Sequence, residues 1–197
     1  MDMILWIIVL VLTVVFLALM ILVWFRKLQF DAVHRNFLEL EDKFGGKVMR
    51  AGFAARPRYT GEYKGQRVTV SITYENTKDG RKYYIAATMQ CVSKVNFTVM
   101  STEWLERREI PDEKKRSMRY ILGEQFLLET PAAKLMKKLN IPSIEKAVQK
   151  IAPFAYILIA KTGIVLERIS INIVEDTQLK KIEGLFEGMY LLKTVVE

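Results

Sequence analysis

The residues best suited to chemistry in this chain recognise other molecules rather than make bonds. Arg56-Pro57-Arg58-Tyr59-Thr60-Gly61-Glu62-Tyr63-Lys64-Gly65-Gln66-Arg67 interleaves basic residues with tyrosines. Guanidinium groups grip anions through a planar fork, and both residue types stack on other rings. The segment therefore reads as an anion-binding or partner-binding sheet face built from Arg56, Arg58, Tyr59, Tyr63, Lys64 and Arg67, with Tyr83 and Tyr84 on an adjacent strand. Cross-strand pairing of aromatic and basic residues on a solvated sheet would give the same pattern. Single-stranded nucleic acid also suits such a surface, but a membrane anchor makes nucleic acid an unnatural partner.

Bond-making groups are sparse. The one histidine is His34, and no nucleophile stands near it in sequence. A general base needs a partner and a pocket, so His34 reads as solvated or interfacial. Cys91, the one cysteine, falls within an expected strand, where a thiol is usually a small buried apolar group. One histidine and one cysteine exclude a Cys/His zinc site. No calcium-loop spacing, G-x-G-x-x-G, phosphate-binding loop or G-x-S-x-G elbow occurs. The sequence thus assigns no catalytic residue, no metal ligand and no cofactor.

The element that places the Arg/Tyr segment is a membrane span. Ile4 to Phe25 has no charged side chain, and Thr13 is its one polar interruption. Such a helix is about 33 Å long and can cross a hydrocarbon core of about 30 Å. A cleaved signal peptide would begin with basic residues and end in small ones; here the start is Met1-Asp2-Met3 and the end is Leu22-Val23-Trp24-Phe25. Trp6 and Trp24 suit the two headgroup interfaces, and Arg26 and Lys27 flank the inner one. Basic flanks stay on the cytoplasmic side. The expectation is a single-pass protein of the cell (inner) membrane, N-terminus outside and soluble domain in the cytoplasm. The absence of a disulfide framework is compatible with that address.

Thirty Lys and Arg stand against 22 Asp and Glu. A basic domain held beside a bilayer is drawn to anionic headgroups, by about 1 kcal/mol for each base near the surface. The further clusters Arg107-Arg108, Lys114-Lys115-Arg116-Arg119 and Lys134-Lys137-Lys138 read as solvated surface.

Three segments follow from the pattern: 1–27 as the transmembrane helix, 28–46 as a juxtamembrane amphipathic helix, and 47–197 as a soluble domain. Phe30, Val33, Phe37, Leu40 and Phe44 share one helical face before Gly45-Gly46 stops the helix. That stripe either packs on its own domain or forms a short coiled-coil seam. Tyr59–Tyr63 and Val68–Tyr74 flank a hairpin turn, Asp79-Gly80 marks another, and Tyr83–Val92 and Asn96–Thr102 read as further strands. Trp104–Glu109 reads as a helical turn, Pro111–Ser117 as a charged loop and Phe126–Glu129 as a short strand. Thr130-Pro131 reads as the start of a helix to Leu139, Ser143 as the cap of a helix ended by Pro153, and Asp176 or Thr177 as the cap of a last helix to Val195. Between the last two, Phe154–Lys161 and Ile164–Val174 form a second hairpin around Thr162-Gly163. This order implies an α+β domain of antiparallel sheet packed with helices. The two hairpins either share one sheet or form two sub-modules.

The run Arg56 to Val70, the strand Tyr83 to Cys91 and Phe97-Thr98-Val99 resemble a hairpin pattern of uncharacterised bacterial single-pass membrane proteins carrying a globular domain of unknown function. The resemblance implies no activity and no functional residues. The first functional expectation is a non-enzymatic membrane-anchored protein whose domain binds a protein partner, as an accessory or assembly subunit of a membrane complex. The alternative is a membrane-surface module reading anionic lipid through Arg56, Arg58, Lys64 and Arg67. An enzyme acting at the membrane ranks third.

Overall fold

The computed structural model of the chain describes residues 2–53, 55–77, 80–106, 118–131, 133–137 and 139–197. Asp79, Arg107-Arg108, the 111–117 segment with its basic cluster, and Lys138 lie outside them.

Helix α1 runs unbroken from Asp2 to Phe44, so the apolar span and the juxtamembrane stripe are one element. Its first part is long and apolar enough to cross a membrane, and none of that stretch is buried by the rest of the chain. Its second part is core: Phe30, Val33, Phe37 and Leu40 are fully buried, and Phe44 packs against them. The stripe therefore packs on its own domain. Gly45 and Gly46 adopt φ of 68° and 97°, which turns the chain back on itself.

The chain then forms one nine-stranded antiparallel sheet, confirming the α+β class. The strands are β1 (Lys47–Met49), β2 (Arg58–Tyr63), β3 (Gln66–Thr77), β4 (Gly80–Gln90), β5 (Phe97–Ser101), β6 (Met118–Leu122), β7 (Phe126–Thr130), β8 (Tyr156–Ala160) and β9 (Gly163–Ser170). Their spatial order is β1-β2-β3-β4-β9-β8-β5-β7-β6. The two expected hairpins share this sheet because β9 pairs with β4 along its length, from Tyr83↔Ser170 to Gln90↔Gly163.

Helices α2 (Thr102–Glu106), α3 (Ala133–Met136), α4 (Ile141–Ile151), α5 (Ile173–Asp176) and α6 (Leu179–Val196) complete the domain. Alternation along β3 buries Val68, Val70 and Ile72 against the helices and leaves Thr69, Ser71 and Thr73 half-buried on the other side. From α6, Ile182, Leu185, Phe186, Met189 and Leu192 enter the same core. Helix α4 crosses α6 closely: a Cβ on Gly188 would stand 2.5 Å from Ile151 Cγ1.

Three expected helix starts differ. Thr130 is a buried residue at the end of β7, so α3 begins later, at Ala133. Asn140 rather than Ser143 caps α4, its side chain accepting from the Ser143 amide, because Pro142 fits the first turn where its missing N–H costs nothing. Asp176 and Thr177 do not cap α6. Asp176 accepts from Ser170 Oγ and Lys181 Nζ, and Thr177 Oγ1 donates to the Ile173 carbonyl, closing α5 instead. Cys91 lies just beyond β4 rather than within it.

Candidate interaction surface

Among the described residues, α1, α4, α5 and α6 lie over one face of the sheet and leave the other largely bare. Paired residues share a face. Along one row of the bare side stand Lys47, Thr60, Thr69, Thr88, Val165 and Leu158. Along the next stand Met49, Arg58, Ser71, Ala86, Glu167 and Tyr156. Thr60, Thr69, Thr88 and Ser71 are half-buried, as expected for short side chains on an uncovered sheet. Helix α2 reaches this side at its far half, where the Trp104 ring lies 5.6 Å from Tyr156. A shallow depression of about 300 Å³ crosses the bare face, lined by Arg58, Arg67, Thr69, Thr88, Gln90 and Thr162 among others. Two guanidinium groups and several hydroxyls can donate hydrogen bonds there to carboxylates, phosphates or backbone carbonyls.

The structure divides the Arg/Tyr segment into three places. Arg58 and Arg67 are exposed and line the depression. Tyr59 and Tyr63 are on the opposite, covered side, correcting their expected place on an exposed binding face; the period of two in β2 sends alternate residues inward. Tyr59 is fully buried and its Oη donates to the Gly45 carbonyl at 2.9 Å. Tyr63 Oη donates to Glu187 at 2.7 Å, and its ring packs on Phe44, Phe186 and Tyr190. Burial, and then the Glu187 carboxylate, raise its phenol far above the usual range.

Lys64 sits at the hairpin turn and is committed within the molecule. Its Nζ lies 2.6 Å from Glu187 and 4.8 Å from the centre of the Tyr190 ring. The hydrogen bond from Lys64, with that from Tyr63, lowers the Glu187 carboxyl below its ordinary range. Arg56 is at the other end of β2, where it donates to the Ile72 carbonyl and stacks over Tyr74 at 4.5 Å. The four bases of the expected lipid-reading patch, Arg56, Arg58, Lys64 and Arg67, are therefore spread along the strand pair and do not form one site.

At the span, Trp6 and Trp24 are 73% and 56% exposed. They are eighteen steps apart along the helix, about 27 Å, which matches the depth of a bilayer core. Lys27 Nζ lies 5.4 Å from the Trp24 ring and 3.2 Å from Asp31, and Arg26 lies over Phe30. Sequence reasoning missed Asp31, Arg50 and Phe53, which meet only after β1 turns back along α1. Arg50 reaches Asp31 at 2.5 Å and the Phe53 carbonyl at 2.7 Å. The hydrogen bond from Arg50 holds the Asp31 carboxyl below its usual value. Cys91 is buried, and burial first, then Glu197, push its thiol up, away from the thiolate that reactive cysteines need. Among the described residues, no group of three His, Cys, Asp or Glu could hold a metal ion.

No protein-family model matches the chain, and no curated protein matches it. Among solved structures, the fold is similar to the mycobacterial trehalose monomycolate transport factor A, with a TM-score of 0.51 and 10% sequence identity over 81% of this chain and 96% of that one. At that identity the likeness shows a shared fold and nothing narrower.

Proposed function

We propose that this chain is a non-enzymatic, membrane-anchored accessory protein whose soluble domain binds a protein partner through the bare face of its sheet. The carrying observation is the asymmetry of that sheet. One side is sealed by helices that include the anchor itself, while the other presents Arg58, Arg67, Thr69 and Thr88 around a shallow depression. A flat face of hydroxyls and guanidinium groups matches the polar character of non-obligate interfaces, where arginine is enriched. The protein of similar fold is named a transport factor, and a role in transport at a membrane is compatible with this reading. The basic flank at Arg26, Lys27 and Arg35 supports a cytoplasmic domain with the N-terminus outside.

The test is a photo-crosslinking amino acid placed at Thr69 or Thr88 in the full chain, irradiated in native membranes. The expected result is one discrete protein adduct from both positions and none from Glu183 on α6. Absence of an adduct from the bare face, with the chain present at normal levels, contradicts the reading.

A further inference from the structure

Strand directions show which end of the sheet faces the membrane. Strand β1 runs back along α1, and Arg50 just after it meets Asp31, barely more than a turn beyond Lys27. Strand β2 is antiparallel to β1, and β3 to β2. The end of β3 and the start of β4 therefore point the same way as Arg50, toward the bilayer. The hairpin at Lys64-Gly65 and the Thr162-Gly163 turn lie at the far end.

The membrane-facing end has its own chemistry. Lys27 Nζ stands 5.1 Å from the Phe53 ring and 5.4 Å from the Trp24 ring, so Phe53 sits at the depth where the helix leaves the lipid. Phe53 is 61% exposed, yet its loop is tied down. The Arg50 guanidinium bonds Asp31, the Phe53 carbonyl and the Ala55 carbonyl together. Beside it, the Tyr74 ring carries the Arg56 guanidinium at 4.5 Å and that of Arg81 at 4.6 Å. Register puts Arg81 opposite Asn76, on the same side of the sheet as Tyr74 and α1. Among the described residues, Asp31 is engaged by Lys27 and Arg50, Glu75 by Tyr84 Oη, and Asp176 by Ser170 and Lys181.

We propose that this end of the sheet is a second membrane contact, in which Phe53 enters the headgroup layer beside Trp24 while Arg56 and Arg81, stacked on Tyr74, bind the phosphates of anionic lipids. An aromatic ring at headgroup depth and bases just above it are the two anchoring chemistries of an interface. Guanidinium groups bind phosphate through paired hydrogen bonds, and Tyr74 holds two of them ready. The continuous α1 delivers this edge to the lipid it spans, so the bilayer is the occupant the tether supplies. The contact sets how the domain stands on the membrane and leaves the bare sheet face free. It does not depend on a protein partner.

The test uses the full chain in lipid nanodiscs with Cys91→Ala and one new cysteine, Gly52→Cys or Thr162→Cys, bearing an environment-sensitive fluorophore. In discs containing equal phosphatidylcholine and phosphatidylglycerol, the label at residue 52 should shift to the blue and be quenched several-fold more by headgroup-proximal spin-labelled lipid than the label at residue 162. Arg56→Gln with Arg81→Gln should remove most of that difference. Equal quenching at the two positions overturns the proposal, as does quenching at 52 that the arginine changes leave untouched. Protection at 52 that grows with protein concentration in lipid-free detergent would place a second copy of the chain there and equally overturns it.

Discussion

At the scale of single residues, the positions that decide the fold lie where backbone approaches backbone. Tyr59 folds its ring over Gly61 and donates to the Gly45 carbonyl, joining the end of α1 to β2. Tyr59→Phe removes one buried hydrogen bond and should cost about 1 kcal/mol in denaturant unfolding of the full chain in detergent. Gly61→Ala should cost more, about 1–3 kcal/mol, because a Cβ there would collide with Tyr59 and stand 2.8 Å from the Gly45 carbonyl oxygen. Asp31 gives a pH prediction. Its folded-state pKa lies below the unfolded value near 3.8, so its contribution is complete above that value and lost as the pH falls through the folded pKa. Amides of residues 50–53 should exchange faster as the pH drops below 4, after correction for intrinsic rates, and Asp31→Asn should abolish that change. Little of this was legible in the chain. An aspartate and an arginine nineteen residues apart give no local signal, and the inward turn of Tyr59 depended on the strand's phase, which an arginine–tyrosine alternation does not settle.

At the scale of elements, α1 has two roles and the second is as large as the first. Full burial of Phe30, Val33, Phe37 and Leu40 contributes about 1.5–3 kcal/mol each, together about 6–12 kcal/mol, comparable with the whole stability of a domain. A chain beginning after Gly46 should therefore fail to fold, while one beginning at Leu28 should give a cooperative unfolding transition. Equal folding of both would contradict the packing described. Gly188→Val at the α4–α6 crossing should destabilise by about 1–3 kcal/mol through overpacking against Ile151. The long periodic elements were legible because amphipathic spacing survives any tertiary context: the α1 stripe, the β2–β3 hairpin and α6 are where the pattern puts them. Strands β1 and β6 were not, since three residues at an edge carry no period and β6 acquires its role through pairing with β7. The caps at Asn140 and Asn172 were missed because neighbouring Ser143, Asp176 and Thr177 offer the same chemistry, and contacts with other elements decide between them. The partition of the basic segment among three places needed the sheet itself.

At the scale of the whole molecule, the anchor, the core and the surfaces follow from one helix. It is long and apolar enough at its start to cross the lipid and enters the domain core at its end; as proposed above, it also points one end of the sheet at the headgroups and leaves the bare face of the sheet to a partner. The proposed orientation, with the domain in the cytoplasm, predicts that a cysteine at Thr162 reacts with an impermeant maleimide only after the membrane is opened. The central claim, that α1 spans a membrane and carries the domain on it, is tested most directly by alkaline carbonate extraction of membranes holding the full chain. The account predicts that the protein stays in the membrane pellet and that a chain beginning at Leu28 is released. Release of the full chain into the carbonate supernatant would contradict it.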